Sequence, residues 1–334
     1  MNFILIKNPP VNPDDISLIQ KIMKDNDILV GAGIQQEAIY NAADYLLFNE
    51  KHSGEVRVLF DRNFLTRLVN IAKRKNINST DPQYKLVSAA MAFFIFCEVI
   101  IEPNMAIYEY GFKKDHIQAN DDLTYFRIAD HIHPQKYADI ALGRAISVEK
   151  KELNIARSYL KNFSKTKEDN FSKQLSKWEL NYLFALKIAQ LKKSTLSPKQ
   201  QIEAYFKWME EEALFNAVAS VFATIFLSPN PPEGKMIEGI GSSDNLKFLH
   251  GIQKAAWDMT YITYWGKSIR MSQPTTTWLL CSNDKAMKRI AKALFVPDEH
   301  NEELSLTNFV SEYWCGRRAL TVVNAIIKHS TSAK

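Results

Sequence analysis

Cysteine is scarce in this chain. There are three in 334 residues (Cys97, Cys281 and Cys315), far apart and in apolar surroundings. That spacing provides neither a disulfide framework nor a zinc knuckle, so a reducing, cytoplasmic setting is expected. Long hydrophobic runs are also missing. The most apolar stretches, 87–101 and 213–227, carry Glu98 and Asn216 and fall short of the roughly 18–20 residues that a membrane span needs. They are expected to be buried core helices, with no membrane partner. The opening "MNFILIKNPP" is too short for a secretory signal and ends in prolines. After "GAG" at 31–33, the third glycine of a dinucleotide fingerprint is absent, which makes that stretch a turn. "DHIHP" at 130–134 offers His131 and His133 without a second pair at zinc spacing. No repeat recurs at a fixed period. Charge of one sign does not dominate either. Lys and Arg outnumber Asp and Glu 42 to 37, a balance that tolerates a nucleic-acid partner without demanding one.

What is present is the makeup of a globular protein, 46% hydrophobic and 24% charged. The pattern is α/β with a helical middle. "NFILIK" and "DILVGAG" read as short strands and "EVRVLF" (55–60) as the clearest one. Helices are expected from Asn12-Pro13, from about Ile34 to Phe48, behind "EVRVLF", and from near Asp81. "VIIEPNMAIYEYG" reads as a strand and a proline-started helix. Between about 112 and 243 only helices are expected, starting near Pro134, Ser147, Asn170 and Ser197-Pro198. A long helix (about 245–265), the strand "TTTWLLCS", a helix from Asp284 and a helical C-terminus follow. This divides the chain into 1–115, a helical insertion at 116–243, and 244–334. The lysines and arginines of the middle (Lys150, Lys151, Arg157, Lys161, Lys165, Lys167, Lys173, Lys177), with Tyr159, Phe163 and Trp178 interleaved, offer a track for a phosphate backbone and stacked bases, but read first as a solvated helix face with its aromatics turned inward.

Four acids stand out by position. Asp61 and Asp284 follow apolar strands, Glu109 lies a helical turn beyond Pro103, and Asp258 sits within "IQKAAWDMTYITYW". Carboxylates on partly apolar flanks are costly unless a cation or hydrogen bonds offset the desolvation. In α/β sheets, ligands gather at the carboxyl ends of strands. Taken singly, Asp61 or Asp284 is a helix N-cap. Taken together with Asp258 and Glu109, they form a candidate set of ligands for a hard divalent cation, Mg²⁺ or Mn²⁺.

These segments resemble the PIN-domain nucleases. "VRVLFDRNFLTRLVN" is similar to the family's opening strand and helix, and "IIEPNMAIYEY" to its second acidic element. "WDMTYITYW" is similar to the helix bearing the third acid, and "WLLCSNDKAMKRIAKAL" to the fourth element, all in the family's order. The resemblance implies a central parallel sheet flanked by helices and interrupted by the mostly helical insertion. It also implies metal-dependent cleavage of RNA more than DNA, often by toxins of toxin–antitoxin or phage-defence systems that a companion protein restrains. On this reading Asp61, Glu109, Asp258 and Asp284 are the metal ligands. Asn63, Ser282 and Asn283 support them, and Lys267, Arg270, Lys285, Lys288 and Arg289 are candidate phosphate contacts. The expected reaction is in-line attack by a metal-activated water, leaving a 5′-phosphate and a 3′-hydroxyl. The alternative is a non-catalytic module of the same fold that binds protein or RNA through its helical part.

Overall fold

The computed structural model describes residues 9–32, 34, 38–74, 81–160, 169–232, 236–296 and 302–332. The strand expected at "NFILIK" lies outside them. The chain forms two compact units, one of residues 1–173 and 268–283, the other of 174–267 and 284–334.

The first unit carries the sheet. After α1 (Pro13–Asp25) come β1 (Leu29–Gly31), a 3₁₀ turn at Ala38–Tyr40, α2 (Ala42–His52), β2 (Glu55–Phe60) and α3 (Arg62–Lys73). Next are α4 (Pro82–Phe96), β3 (Ile100–Glu102), α5 (Asn104–Lys113), α6 (His116–Asp130), α7 (Pro134–Ala141) and α8 (Lys150–Leu160). The last strand, β4 (Thr276–Cys281), joins from far along the chain. Strand order is β1-β4-β2-β3. β2 pairs in parallel with β3 and with β4, Phe60 lying opposite Cys281. β1 runs antiparallel to β4, so the sheet is mixed where an all-parallel sheet was expected. Three residues with no alternation, all buried, leave no trace of strand direction in the sequence.

The core follows from apolar patterning. α4 buries nearly every residue from Tyr84 to Phe96, which accounts for its uniformly apolar run, and it packs on α1 and α7. α3 is amphipathic and buries Phe64, Leu65, Leu68, Val69, Ile71 and Ala72. The helix expected from Ile34 starts at Ala42 instead, because Asn41 caps it by accepting from the Ala43 N–H. α1 is tied to the turn after α7: Arg144 grips the buried Asp15 carboxylate with both terminal nitrogens, at 2.7 and 2.6 Å.

The described part of the second unit is helical: α9 (Ser176–Lys193), α10 (Pro198–Glu212), α11 (Ala217–Phe226), α12 (Asn245–Met271, whose last turn belongs to the first unit), α13 (Lys285–Phe295), α14 (Glu302–Ser311) and α15 (Arg317–Ser332). α9 starts at Ser176, not near Asn170. α10 starts with a complete capping box between Ser197 and Gln200. α9 and α12 meet through Trp178 and Trp257, whose ring centroids are 6.0 Å apart, and through an Asn181–Thr260 hydrogen bond. Among the described residues no helix is long and apolar enough to cross a membrane.

Candidate functional site

In the first unit, pairing of β2 with β4 brings two strand ends together. The Asp61 N–H donates to the Cys281 carbonyl at 3.1 Å, continuing the ladder one residue beyond Phe60. Asp61 is 3% exposed. Its Oδ1 accepts from the Phe64 N–H at 2.9 Å, capping α3, and its Oδ2 accepts from the Ser282 hydroxyl at 2.5 Å. The Ser282 backbone N–H is in turn fixed by the Ile28 carbonyl, at the approach to β1. Asn283 donates to Gln83 in the first turn of α4. Ser282 therefore orients the Asp61 carboxylate, while Asn63 lies exposed on α3.

Glu109, 7% exposed on α5, accepts from Lys113 at 2.7 Å and from Arg62 at 3.3 Å. Arg62 immediately follows Asp61 and lies over the Tyr110 ring. Two cations thus already balance this carboxylate.

In the second unit, Asp284 is the N-cap of α13 and accepts from the Met287 N–H at 2.9 Å. α13 is anchored at its far end: the Phe295 ring lies against Gly266 of α12, where a β-carbon would come within 2.2 Å of it, and stands edge-on to Trp265. At its near end Asp284 reaches the field of Lys254, one turn before Asp258 on α12. Lys254 also donates to Glu238 at 2.6 Å. Burial would push the Lys254 ammonium down, but Glu238, Asp258 and Asp284 together raise it above its ordinary value.

Glu238 was not among the sequence candidates. It reaches this place because the loop before α12 lies directly on the helix. Gly251 has no side chain, and a β-carbon there would come within 1.8 Å of the Glu238 carbonyl oxygen. Gly239 makes the turn with φ of 68°. The glycine-rich "EGIG" marks a tight turn, the only trace of this in the sequence.

Among the basic candidates, Lys267, Arg270, Lys285 and Arg289 are exposed, whereas Lys288 is 5% exposed and packed. Arg289 lies over the Tyr313 ring at 5.9 Å. In the first unit, the His131 Nδ1 pairs with the Arg127 carbonyl and its ring stacks on Tyr159, while His133 caps α7. Both histidines have local structural roles.

No known protein family, curated protein or solved structure matches the chain. The reading of the site therefore rests on its own chemistry. Among the described residues no group of three or more His, Cys, Asp or Glu side chains is gathered closely enough to hold a metal. A pair of carboxylates is still enough for Mg²⁺, which keeps several waters and commonly takes one or two carboxylates plus phosphate oxygens. Asp258 and Asp284 carry hard oxygen donors of the kind that Mg²⁺ prefers.

Proposed function

We propose that the chain is a divalent-metal-dependent nuclease of PIN-like character, hydrolysing phosphodiester bonds of RNA in preference to DNA, in the manner of a toxin or phage-defence effector. One observation carries the proposal. In the first unit Asp61 is buried and held by the Ser282 hydroxyl where the parallel strands β2 and β4 end, the place at which open α/β sheets bind ligands.

Each of the acids that the PIN resemblance names, Asp61, Glu109, Asp258 and Asp284, would offer a hard carboxylate oxygen to Mg²⁺ or Mn²⁺. Such an ion supplies a more acidic water and neutralises charge that builds on the phosphate. The chain supplies the rest. Ser282 fixes the rotamer of Asp61 through a charge-assisted hydrogen bond. The caps at Asp61 and Asp284 hold both carboxylates on rigid helix starts. Lys285 and Arg289 on α13, with Lys267 and Arg270 at the end of α12, are exposed to meet phosphates.

The double ion pair on Glu109 favours a second reading, a non-catalytic interaction module in which Glu109 is structural. Labelled RNA and single- and double-stranded DNA, incubated with the protein and Mn²⁺, Mg²⁺ or EDTA, separate the two. Cleavage is expected with metal and not with EDTA, and Asp61→Asn and Asp284→Asn should abolish it while the thermal melt stays cooperative. Equal cleavage by wild type and both variants would mark a contaminant, and no cleavage of any substrate would leave the binding module.

A further inference from the structure

A cavity of about 320 Å³ opens in the first unit between α2 and the sheet. On the sheet side it is lined by a cross-strand pair, Val56 of β2 beside Thr277 of β4. On the helix side it is lined by Asp44, Tyr45 and Phe48, at i, i+1 and i+4 of α2. Ile34 and Ala38 complete the lining. The aromatic side chains are firmly seated. Phe48 has its place because Gly54 lacks a side chain: a β-carbon there would come within 2.2 Å of the ring. The Tyr45 hydroxyl donates to the Ile39 carbonyl at 2.6 Å, and its ring stands edge-on to Phe93. The volume falls at the lower end of the range of about 300–1,000 Å³ for small-molecule sites, which are mostly apolar with a few placed polar groups.

The polar groups here are of one kind. With the Tyr45 hydroxyl engaged, the Thr277 hydroxyl and the Asp44 carboxylate remain. Asp44 is exposed in the first turn of α2, and Asn41 donates to its Oδ2 at 2.9 Å, which holds the carboxylate in place. Among the described residues no lysine, arginine or histidine pairs with it. A helix start accounts for an acid at this position, but not for the apolar cavity beside it. A ligand that buries an apolar body and keeps a positive group at the rim satisfies both surfaces. An anion would meet repulsion from Asp44, and a neutral molecule would leave the carboxylate unused. Val56 lies near the start of β2, about 16 Å along the strand from Asp61 at the rise of an extended chain. The cavity is therefore separate from the end of the sheet that carries Asp61, and it does not rest on the nuclease reading.

We propose that this cavity binds a small organic cation, an ammonium group carried on an aliphatic or aromatic body. The body lies against Tyr45, Phe48 and Val56, and the ammonium donates to Asp44. Three probes of nearly one shape test it by calorimetric titration: 2-phenylethylammonium, the neutral 2-phenylethanol and the anionic 3-phenylpropionate. Concentrations up to about 10 mM cover the millimolar affinity open to so small a ligand. The cation should bind about fivefold more tightly than the alcohol, the gain from one partly exposed ion pair, and the anion most weakly. Asp44→Asn should bring the cation down to the affinity of the alcohol and leave the alcohol unchanged. Ala38→Leu, which fills the cavity from a half-buried position, should weaken cation and alcohol together by about tenfold. Nuclear Overhauser contacts from the bound cation to the Val56 methyls and the Phe48 ring are expected in wild-type protein, and they require no variant. No binding by any probe overturns the site. Equal affinity of cation and alcohol, or an undiminished preference in Asp44→Asn, overturns the ligand class. A cation that binds without contacts to Val56 and Phe48 sits elsewhere and overturns the proposal. Cleavage of nucleic acid, or its absence, decides none of these outcomes.

Discussion

Asp61 performs two tasks with one carboxylate, and the two can be separated by substitution. One oxygen caps α3 and the other receives the Ser282 hydroxyl. Asparagine caps as well as aspartate, so Asp61→Asn should keep the helix start and fall only slightly in stability, while losing the charge. Asp61→Ala removes the cap and takes the carboxylate acceptor from the buried Ser282 hydroxyl. It should cost about 2–4 kcal/mol in urea unfolding, from a cap worth about 1 and a buried hydroxyl deprived of that acceptor, worth about 1–3. Ser282→Ala leaves the cap intact and should cost about 1–2 kcal/mol. If Asp61→Asn proved as destabilising as Asp61→Ala, the charge itself would be holding the fold, and loss of cleavage in Asp61→Asn would no longer speak for chemistry.

At the scale of elements, the junctions of β2 with α3 and of β4 with α13 were legible because periodicity changes abruptly at a capping aspartate. The same legibility explains why capping and ligation could not be told apart there: a capping carboxylate and a ligating one are written with the same residue at the same position. The antiparallel course of β1 was not legible, since hydrogen-bond direction in a three-residue buried strand depends on its distant partner β4. Glu238 was invisible for a related reason. Its place depends on a loop lying on a helix, licensed by Gly251 thirteen positions on, and nothing in the neighbouring residues announces that contact. Gly251→Ala tests the packing: its methyl would overlap the Glu238 carbonyl, so the loop must lift, at about 1–3 kcal/mol. Lys254 should at the same time lose its hydrogen bond to Glu238. Unchanged stability in this variant would show that the loop does not rest on the helix as described.

For the molecule as a whole, two solution variables report on different parts. On the proposed reading, metal would act on the second unit through Asp284. With the ion at 100 times its dissociation constant, mass action adds about 2.7 kcal/mol to the stability of whatever unfolds with the site, and Asp284→Asn should abolish that gain in a melting experiment. Acid acts through the first unit. Asp15 is buried and held by Arg144, whose hydrogen bonds lower its carboxyl below the ordinary value of 3.8. The unfolded chain therefore binds a proton at Asp15 more readily than the folded one. The stabilisation is present above pH 3.8 and is lost as pH falls through the lower folded value. Asp122 acts in the opposite sense: burial raises its carboxyl despite Lys73, so its contribution declines as pH rises from 3.8 through the raised folded value. The two acids thus tilt the stability curve on opposite sides of pH 3.8. Asp15→Asn should lower stability at neutral pH and flatten the curve below pH 3.8, leaving the slope above it unchanged, as read from urea unfolding at a series of pH values. A slope below pH 3.8 equal to that of wild type would show that another acid carries the acid limb and that the Arg144 clamp is not what ties α1 to the turn after α7.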